Sequence, residues 1–402
     1  MIHGGGGRSK GNSFKNVRKA FALCCGDALL KETIYAFGYG ENNSVHFLCL
    51  KACENIITQR KERMNGLANF NIIGNGFDLY HGLPTSYYYF ACYLLAKNED
   101  IYDDWAEMYG FSRGIMHMPF EDLERRIDNK GYWSNFEKSL GYISSEWVEN
   151  SLLDDLDLEN PEAVDLPIER PNHVAEIKQM LNDWIRETVD TDHNFEVVNQ
   201  LIGAKKLDIS ASDAFLSFNY THTLEKLYHA HNVLHIHGEN TLDSEDCELV
   251  IGHGNDSEIK KMQETIEDLE QYYYEQPSRN RIQEYQFEID ILEDLRKPVE
   301  TCLKRLKAFL AKLPEPEAIY VYGFSLGDVD VPYIKFIRAK WPNCRWKFSY
   351  YSDSDKITID KTAEFLGLKE SQYELFELKN ETSNEIEKRI AKENHIQTFP
   401  VL

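Results

Sequence analysis

Short apolar runs that end in polar or glycine-bearing turns recur along the chain, and each reads as a buried strand entering a loop. Phe70-Asn71-Ile72-Ile73 leads into Gly74-Asn75-Gly76, Ala214–Phe218 into Asn219-Tyr220-Thr221, and Val233–Ile236 into His237-Gly238. Glu248–Ile251 leads into Gly252-His253-Gly254-Asn255, and Ala318–Tyr322 into Gly323. Arg345–Tyr350 and Tyr373–Leu378 predict two later strands. Between these runs apolar positions recur at helical spacing. They predict helices over Tyr87–Leu95 (with Thr85 or Ser86 as N-cap), Trp133–Glu149, His173–Val189 and Glu385–Glu393, and over much of 256–313 with a break near Pro277. The acidic, proline-marked strip Asp154–Pro171 predicts a loop. Strands alternating with helices predict an α/β fold, a mainly parallel sheet covered on both faces. Its core is expected in three pieces, about 64–96, 208–255 and 314–402, with helical inserts at about 97–207 and 256–313.

The first 63 residues break the pattern. They carry ten Lys or Arg against five Asp or Glu, a net +5, whereas the chain of 402 residues has 44 against 67 and a net charge of −23, so residues 64–402 carry −28. Phe21–Cys25 imitates the apolar centre of a signal peptide, but Gly26-Asp27 interrupts it. Residues 1–63 are therefore expected to be an atypical extension, with Met64 as the native start. None of the eight cysteines forms a C-x-x-C pair, which argues against structural zinc and a disulfide framework. The longest uncharged stretch, Leu79–Ala96, contains Gly82 and Pro84 and makes a poor membrane span. The cytoplasm is the expected compartment. The negative field opposes binding to nucleic acid or an anionic membrane, yet a small anion can still be held by backbone N–H groups.

Ligands bind beyond the carboxyl ends of parallel strands. The turns Gly74–Asp78, Asn219–Thr221, His237-Gly238 and Gly323–Asp330 are therefore expected to converge on one crevice. The dinucleotide pattern G-x-G-x-x-G fails because position 79 is Leu, and no H-E-x-x-H, P-loop or nucleophile-elbow serine is found. Gly74, Asn75, Gly76 and Phe77 are candidates for a backbone phosphate cradle. Asp78 is a candidate ribose acceptor or a turn cap. Asn219 is a candidate for orienting a ribose hydroxyl or a water, or a turn residue. His237 is the candidate general base, His235 is expected on the opposite face, and His253 is expected to be structural. Ser325, Asp328 and Asp330 are candidates for contacting a nucleotide, for capping a helix, or for both. Glu137 is a candidate for entering the site from the helical insert, with a surface salt bridge the favoured expectation, and the triplets Tyr87–Tyr89 and Tyr272–Tyr274 are expected in packing and interfaces.

Gly74–Pro84 resembles the sirtuin cofactor loop without a gap, with Gly74, Gly76, Gly82 and Pro84 on matching positions. Phe218-Asn219-Tyr220 resembles the sirtuin Q-N-I segment, Ile236-His237-Gly238 the L-H-G segment, and Gly323-Phe324-Ser325-Leu326 the G-T-S-L segment, in the same order. A narrower resemblance is to the AbiH family of phage abortive-infection proteins. I-G-N-G-F-D-L-x-x-G-L-P-T-S-Y, S-F-N-Y-T, H-I-H-G, G-H-G-N and Y-G-F-S-L-G-D-x-D carry it, together with W-x-x-F-E at Trp133, Phe136 and Glu137, over roughly residues 66–350. The resemblance implies a Rossmann-like, sirtuin-like sheet used in anti-phage defence, with NAD as substrate or ligand and with Gly82 and Gly323 joining the cofactor-binding set. Hydrolysis of NAD to nicotinamide and ADP-ribose is the expected activity, with Asn219 and His237 catalytic and no metal. A non-catalytic NAD or ADP-ribose sensor is the alternative. Protein deacylation is disfavoured, because only Cys247 and Cys302 lie where sirtuins carry a four-cysteine zinc module. The expected partners are a nucleotide and a phage-derived or defence-system trigger, and a homo-oligomer is compatible with the sequence.

Overall fold

In the computed structural model Leu67–Leu402 form one compact unit. The structure describes residues 68–109, 136–144, 147–148, 173–241, 249–272, 279–325 and 327–393. The expected extension 1–63, the expected loop 154–171 and most of the second tyrosine triplet lie outside them.

Strand β1 (Phe70–Ile73) is followed by α1 (Asn75–Tyr80), α2 (Tyr87–Lys97), α3 (Glu99–Met108), the single turn α4 (Phe136–Ser139), α5 (His173–Trp184) and α6 (Asp192–Ile202). Next come β2 (Ala214–Ser217), α7 (Thr223–Tyr228) and β3 (Val233–His235), then α8 (Asp256–Tyr272), α9 (Arg279–Asp294) and α10 (Val299–Leu310). The final part alternates β4 (Ala318–Tyr322), α11 (Val331–Lys340), β5 (Arg345–Tyr350), α12 (Asp353–Phe365), β6 (Tyr373–Glu377) and α13 (Ser383–Glu393).

The six strands form one sheet in the order β3-β2-β1-β4-β5-β6, and every pairing is parallel. This is the Rossmann-like α/β arrangement that the alternation of strands and helices predicts. The order reverses between β1 and β4, the point at which such sheets open a crevice beyond their carboxyl ends. The register pairs Ile73 with both Ser217 and Tyr322, and Ser217 with His235. The turns that begin at Gly74, Phe218, Ile236 and Gly323 therefore leave the sheet level with one another.

Side chains alternate between the two faces of the sheet. Phe70, Ile72, Leu216, Ile319, Val321, Trp346 and Phe348 pack into a layer with Leu306 of α10, Ile334 and Ile337 of α11 and Ile359 of α12. Ile73, Phe215 and Tyr322 face the other layer, with Phe90 of α2, Ile177 of α5, Val198 of α6 and Ile386 of α13. Each such burial stabilises the fold by about 1.5–3 kcal/mol, and burial on both faces is why these strands read as continuous apolar runs. The strands also bury polar Asn71, Ser217 and His235, and the Asn71 amide donates to the Asp213 carboxylate at 3.3 Å.

Two expected elements take other forms. Leu249–Ile251 is not a strand. The Val250 N–H donates to the His237 carbonyl at 2.8 Å, but the Val250 carbonyl accepts from the Tyr220 hydroxyl at 2.9 Å, so a side chain stands where a ladder partner would be. Of the helix expected over Trp133–Glu149, the described helical residues are the turn Phe136–Ser139 and, after Gly141 turns the chain and the Ser144 N–H donates to the Met108 carbonyl, residues 147–148. The predicted helix His173–Val189 is present, but its last part, Ile185–Val189, widens into a π-helix that ends at Asp190.

Candidate functional site

At the point where the strand order reverses, the two glycine turns touch through their backbones. The Gly74 N–H donates to the Tyr322 carbonyl at 2.9 Å, and the Gly76 N–H to the Gly323 carbonyl at 2.8 Å. A Cβ on Gly74 would stand 2.6 Å from the Gly323 oxygen, and one on Gly323, at φ +56°, 2.3 Å from the Gly76 carbonyl carbon. Only glycine permits this approach. The amides of Gly74, Gly76 and Phe77 are thereby engaged within the protein, the last with the Gly74 carbonyl. Asn75 is exposed and donates its side-chain amide to the Thr85 carbonyl at 3.1 Å, while the Phe77 ring is core and packs on His81 and Tyr322. Gly82, at φ +74°, lies against Ile386 and Ser383 of α13.

Beside the glycine turns lies a first polar set. Asp78 is 1% exposed. Its Oδ2 accepts from the Thr221 hydroxyl at 2.6 Å, and the Thr223 hydroxyl donates to Thr221 at 3.1 Å. Its Oδ1 has no protein partner. Burial pushes the carboxyl up to about 6 against the pull of the Thr221 and Thr223 hydroxyls, and the Asp190 charge pushes the same way as burial. Asn219 donates its amide to the Gly74 carbonyl at 3.1 Å, and its own carbonyl pairs with His235 Nδ1 at 2.9 Å. His235 Nε2 meets Glu225 at 3.1 Å.

His237, two residues further, joins a second set. It is 3% exposed, and its ring packs edge-on against Phe218 and Tyr333. Its Nε2 has no hydrogen-bond partner and stands 3.7 Å from Asp330 Oδ1, which is likewise buried and unbonded. Burial, reinforced by the Lys297 and Arg305 charges, holds the imidazole well below its usual range, so it is neutral at pH 7. Burial pushes the Asp330 carboxyl up to about 6, opposed by Lys297. Asp330 occupies the N-cap position of α11 but makes no capping bond; the carboxylate is turned to His237 instead.

Lys297 completes this set. Its ammonium lies 2.8 Å from Glu137 Oε2 and 3.8 Å from Asp330 Oδ1. Glu137 also accepts from the hydroxyls of Tyr87 (3.0 Å) and Tyr220 (3.4 Å). Glu137 is thus bonded to a buried cation, which corrects the expectation of a surface salt bridge. Tyr87 does more than pack.

Ser325 is exposed, Asp328 opens the short 3-10 turn Asp328–Asp330, and the Asp328 side chain lies outside the described residues. His253 is structural: Nδ1 accepts from the Asn255 N–H and Nε2 reaches the Leu292 carbonyl, both at 2.9 Å. The structure therefore joins Gly74 and Gly76 to Gly323, turns the Asn75 side chain to Thr85, ties Asn219 to Gly74, and sets His237 beside Asp330. Gly82 it sets against α13. Among the described residues no three His, Cys, Asp or Glu side chains are arranged to hold a metal ion, and no helix is long and apolar enough to cross a membrane.

A family model described as bacteriophage abortive infection AbiH matches residues 70–350, more than half of the chain and all the turns just described. The chain belongs to the AbiH family. Its broad role is therefore in phage abortive infection. No curated protein and no solved structure matches the chain. In this AbiH protein, sequence reasoning missed Lys297, which sits in a charge-rich helical region where one more lysine carries no signal. Asp190 was missed too: it lies just past the π-helix, accepts from the His222 backbone N–H at 3.2 Å and pairs with the His222 ring.

Proposed function

We propose that this AbiH protein hydrolyses NAD to nicotinamide and ADP-ribose in the cytoplasm during abortive infection, with His237 as general base. The observation that carries the reading is the pair of buried, unbonded acceptors, His237 Nε2 and Asp330 Oδ1, 3.7 Å apart beyond the carboxyl ends of β3 and β4. Leaving buried polar atoms without partners costs about 1–3 kcal/mol each, and such a cost is borne where a group has chemical work to do. The reaction asks little acid catalysis, because the pyridinium already carries the charge that drives its departure. The glycosidic electron pair leaves with nicotinamide, and water adds to the ribose carbon. The proton of that water passes to the neutral imidazole, and the Asp330 carboxylate steadies the imidazolium. Asp78, with Oδ1 free and Asn219 beside it, supports a ribose-facing role for the first set. Both acceptors are closed off from solvent, so the crevice must open for substrate to reach them.

The test is release of nicotinamide from NAD by the pure protein, with and without phage lysate. His237→Ala is expected to lower the rate at least about 100-fold, as for loss of a general base, and Asn219→Ala to lower it as well. The rate is expected to fall as the pH drops below about 6, where Asp330 takes a proton. Undiminished release in both variants removes the assignment. NAD binding without release under either condition supports the sensor instead.

A further inference from the structure

We propose that Lys297 is a positioning residue of the His237–Asp330 pair, the buried cation that biases Asp330 toward its carboxylate and His237 toward its neutral imidazole. The inference rests on the NAD-hydrolase reading for its catalytic part only. Its geometry stands apart from it. A lysine is rarely buried, because its ammonium loses water that only close anions replace. Lys297 is 3% exposed. The carboxylates of Glu137 and Asp330 hold it from two sides, at 2.8 and 3.8 Å. Burial favours the neutral amine, but these two charges outweigh it and keep the ammonium above its usual range.

The segments G-H-G-N, W-x-x-F-E and P-T-S-Y, which the catalytic reading leaves unused, lead to this lysine, as do two segments that it uses. In G-H-G-N, the His253 N–H donates to the Leu295 carbonyl at 2.9 Å, and the Lys297 N–H returns to the His253 carbonyl at 3.0 Å. A Cβ on Gly252, at φ +152°, would stand 1.9 Å from the Leu295 oxygen, so the glycine admits the 295–297 segment. From W-x-x-F-E comes Glu137, and the tyrosines of P-T-S-Y and F-N-Y hold that carboxylate. G-D-x-D supplies Asp330. Five motif segments, far apart in sequence, thus build a seat for a residue that belongs to none of them.

Around His237 and Asp330, the charged and titratable groups are Lys297 before α10, Cys302 of α10 beside Lys297 and Tyr333, Arg305 of α10, whose guanidinium donates to the His235 carbonyl at 3.0 Å, and Tyr333 of α11. Behind Lys297 stand Glu137, Tyr87 and Tyr220. Lys297 favours the ionised carboxylate and the neutral imidazole, the protonation states that base catalysis at neutral pH requires.

The test follows the histidine ring nitrogens of full-length, isotope-labelled protein by NMR against pH, with His237 identified by the loss of its signals in His237→Gln. In Lys297→Met the His237 midpoint is expected to rise, by roughly tenfold in proton affinity. Lys297→Met with Glu137→Gln removes the stranded carboxylate and is expected to show the same rise, while Lys297→Arg keeps the wild-type midpoint. The acid limb of nicotinamide release should move upward in the first two variants and stay in place in the third. An unmoved His237 midpoint in both the single and the double variant overturns the proposal. A moved midpoint in a protein that never cleaves NAD sustains the role of Lys297 and defeats the hydrolase reading.

Discussion

The two buried polar sets beyond the strand ends are built in opposite ways. Around Asp78, the partners come from two short stretches, Gly74–Asp78 and Asn219–Thr223, and relief of the buried charge comes from neutral hydroxyls and an amide. Around His237, the partners come from five separated places in the chain, and relief comes from a full cation. Burial pushes both carboxyls up to about 6. The compensation differs: a hydroxyl can serve either protonation state of Asp78, whereas Lys297 demands an ionised partner. The first set tolerates loss of its charge and the second does not.

Three experiments break or sharpen that contrast. The largest effect is expected from Lys297→Met, which strands Glu137 and Asp330 and should cost about 3–5 kcal/mol, the usual penalty for breaking a buried ion pair. Urea unfolding at pH 7.5 measures it, and adding Glu137→Gln should recover most of the loss. A cost below about 1 kcal/mol would mean that the second set does not depend on its cation.

Next is Asp78→Asn. Because the folded carboxyl titrates near 6 rather than near 3.8, the folded state binds this proton more tightly than the unfolded chain. Wild-type stability from this group is present below the unfolded value and is lost as the pH rises through 6, up to about 3 kcal/mol. Asp78→Asn should therefore stabilise the protein at pH 8 by as much as that, with the gain vanishing below pH 4. Asp330→Asn should give no gain, since it takes a partner from Lys297. Equal gains from both would erase the distinction.

The smallest effect concerns the edge of the first set. A hydrogen bond from His222 to Asp190 raises the imidazole to about 9, against the effect of burial. The stability this pair confers is complete below about 6.5 and is lost as the pH rises through 9. The difference between wild type and Asp190→Asn in thermal unfolding should shrink by about 1–2 kcal/mol from pH 7 to 9.5. A constant difference would show that His222 is not charged in the folded protein.

The six strands of the sheet were legible because burial on both faces writes an apolar run that needs no tertiary knowledge. The glycine turns were legible for a related reason: Gly74, Gly76 and Gly323 meet backbone to backbone, and no other residue fits. Leu249–Ile251 misled because an apolar run can be buried by a turn as well as by a ladder, and here the Tyr220 hydroxyl takes the carbonyl. Glu137 misled because its partner lies 160 residues away. Neither error was visible in the local pattern.

Periodicity and steric demand are local properties, so the chain alone determined the alternation of strands and helices, the parallel sheet and the residues that stand at the strand ends. Charge compensation is not local. Whether a carboxylate meets a hydroxyl, a lysine or water depends on which distant segments the fold brings within 3 or 4 Å, and electrostatic energy changes steeply over that range in a buried site. Only the tertiary structure could decide that Asp330 turns from its helix to His237, and that an unremarkable lysine lies beneath them both.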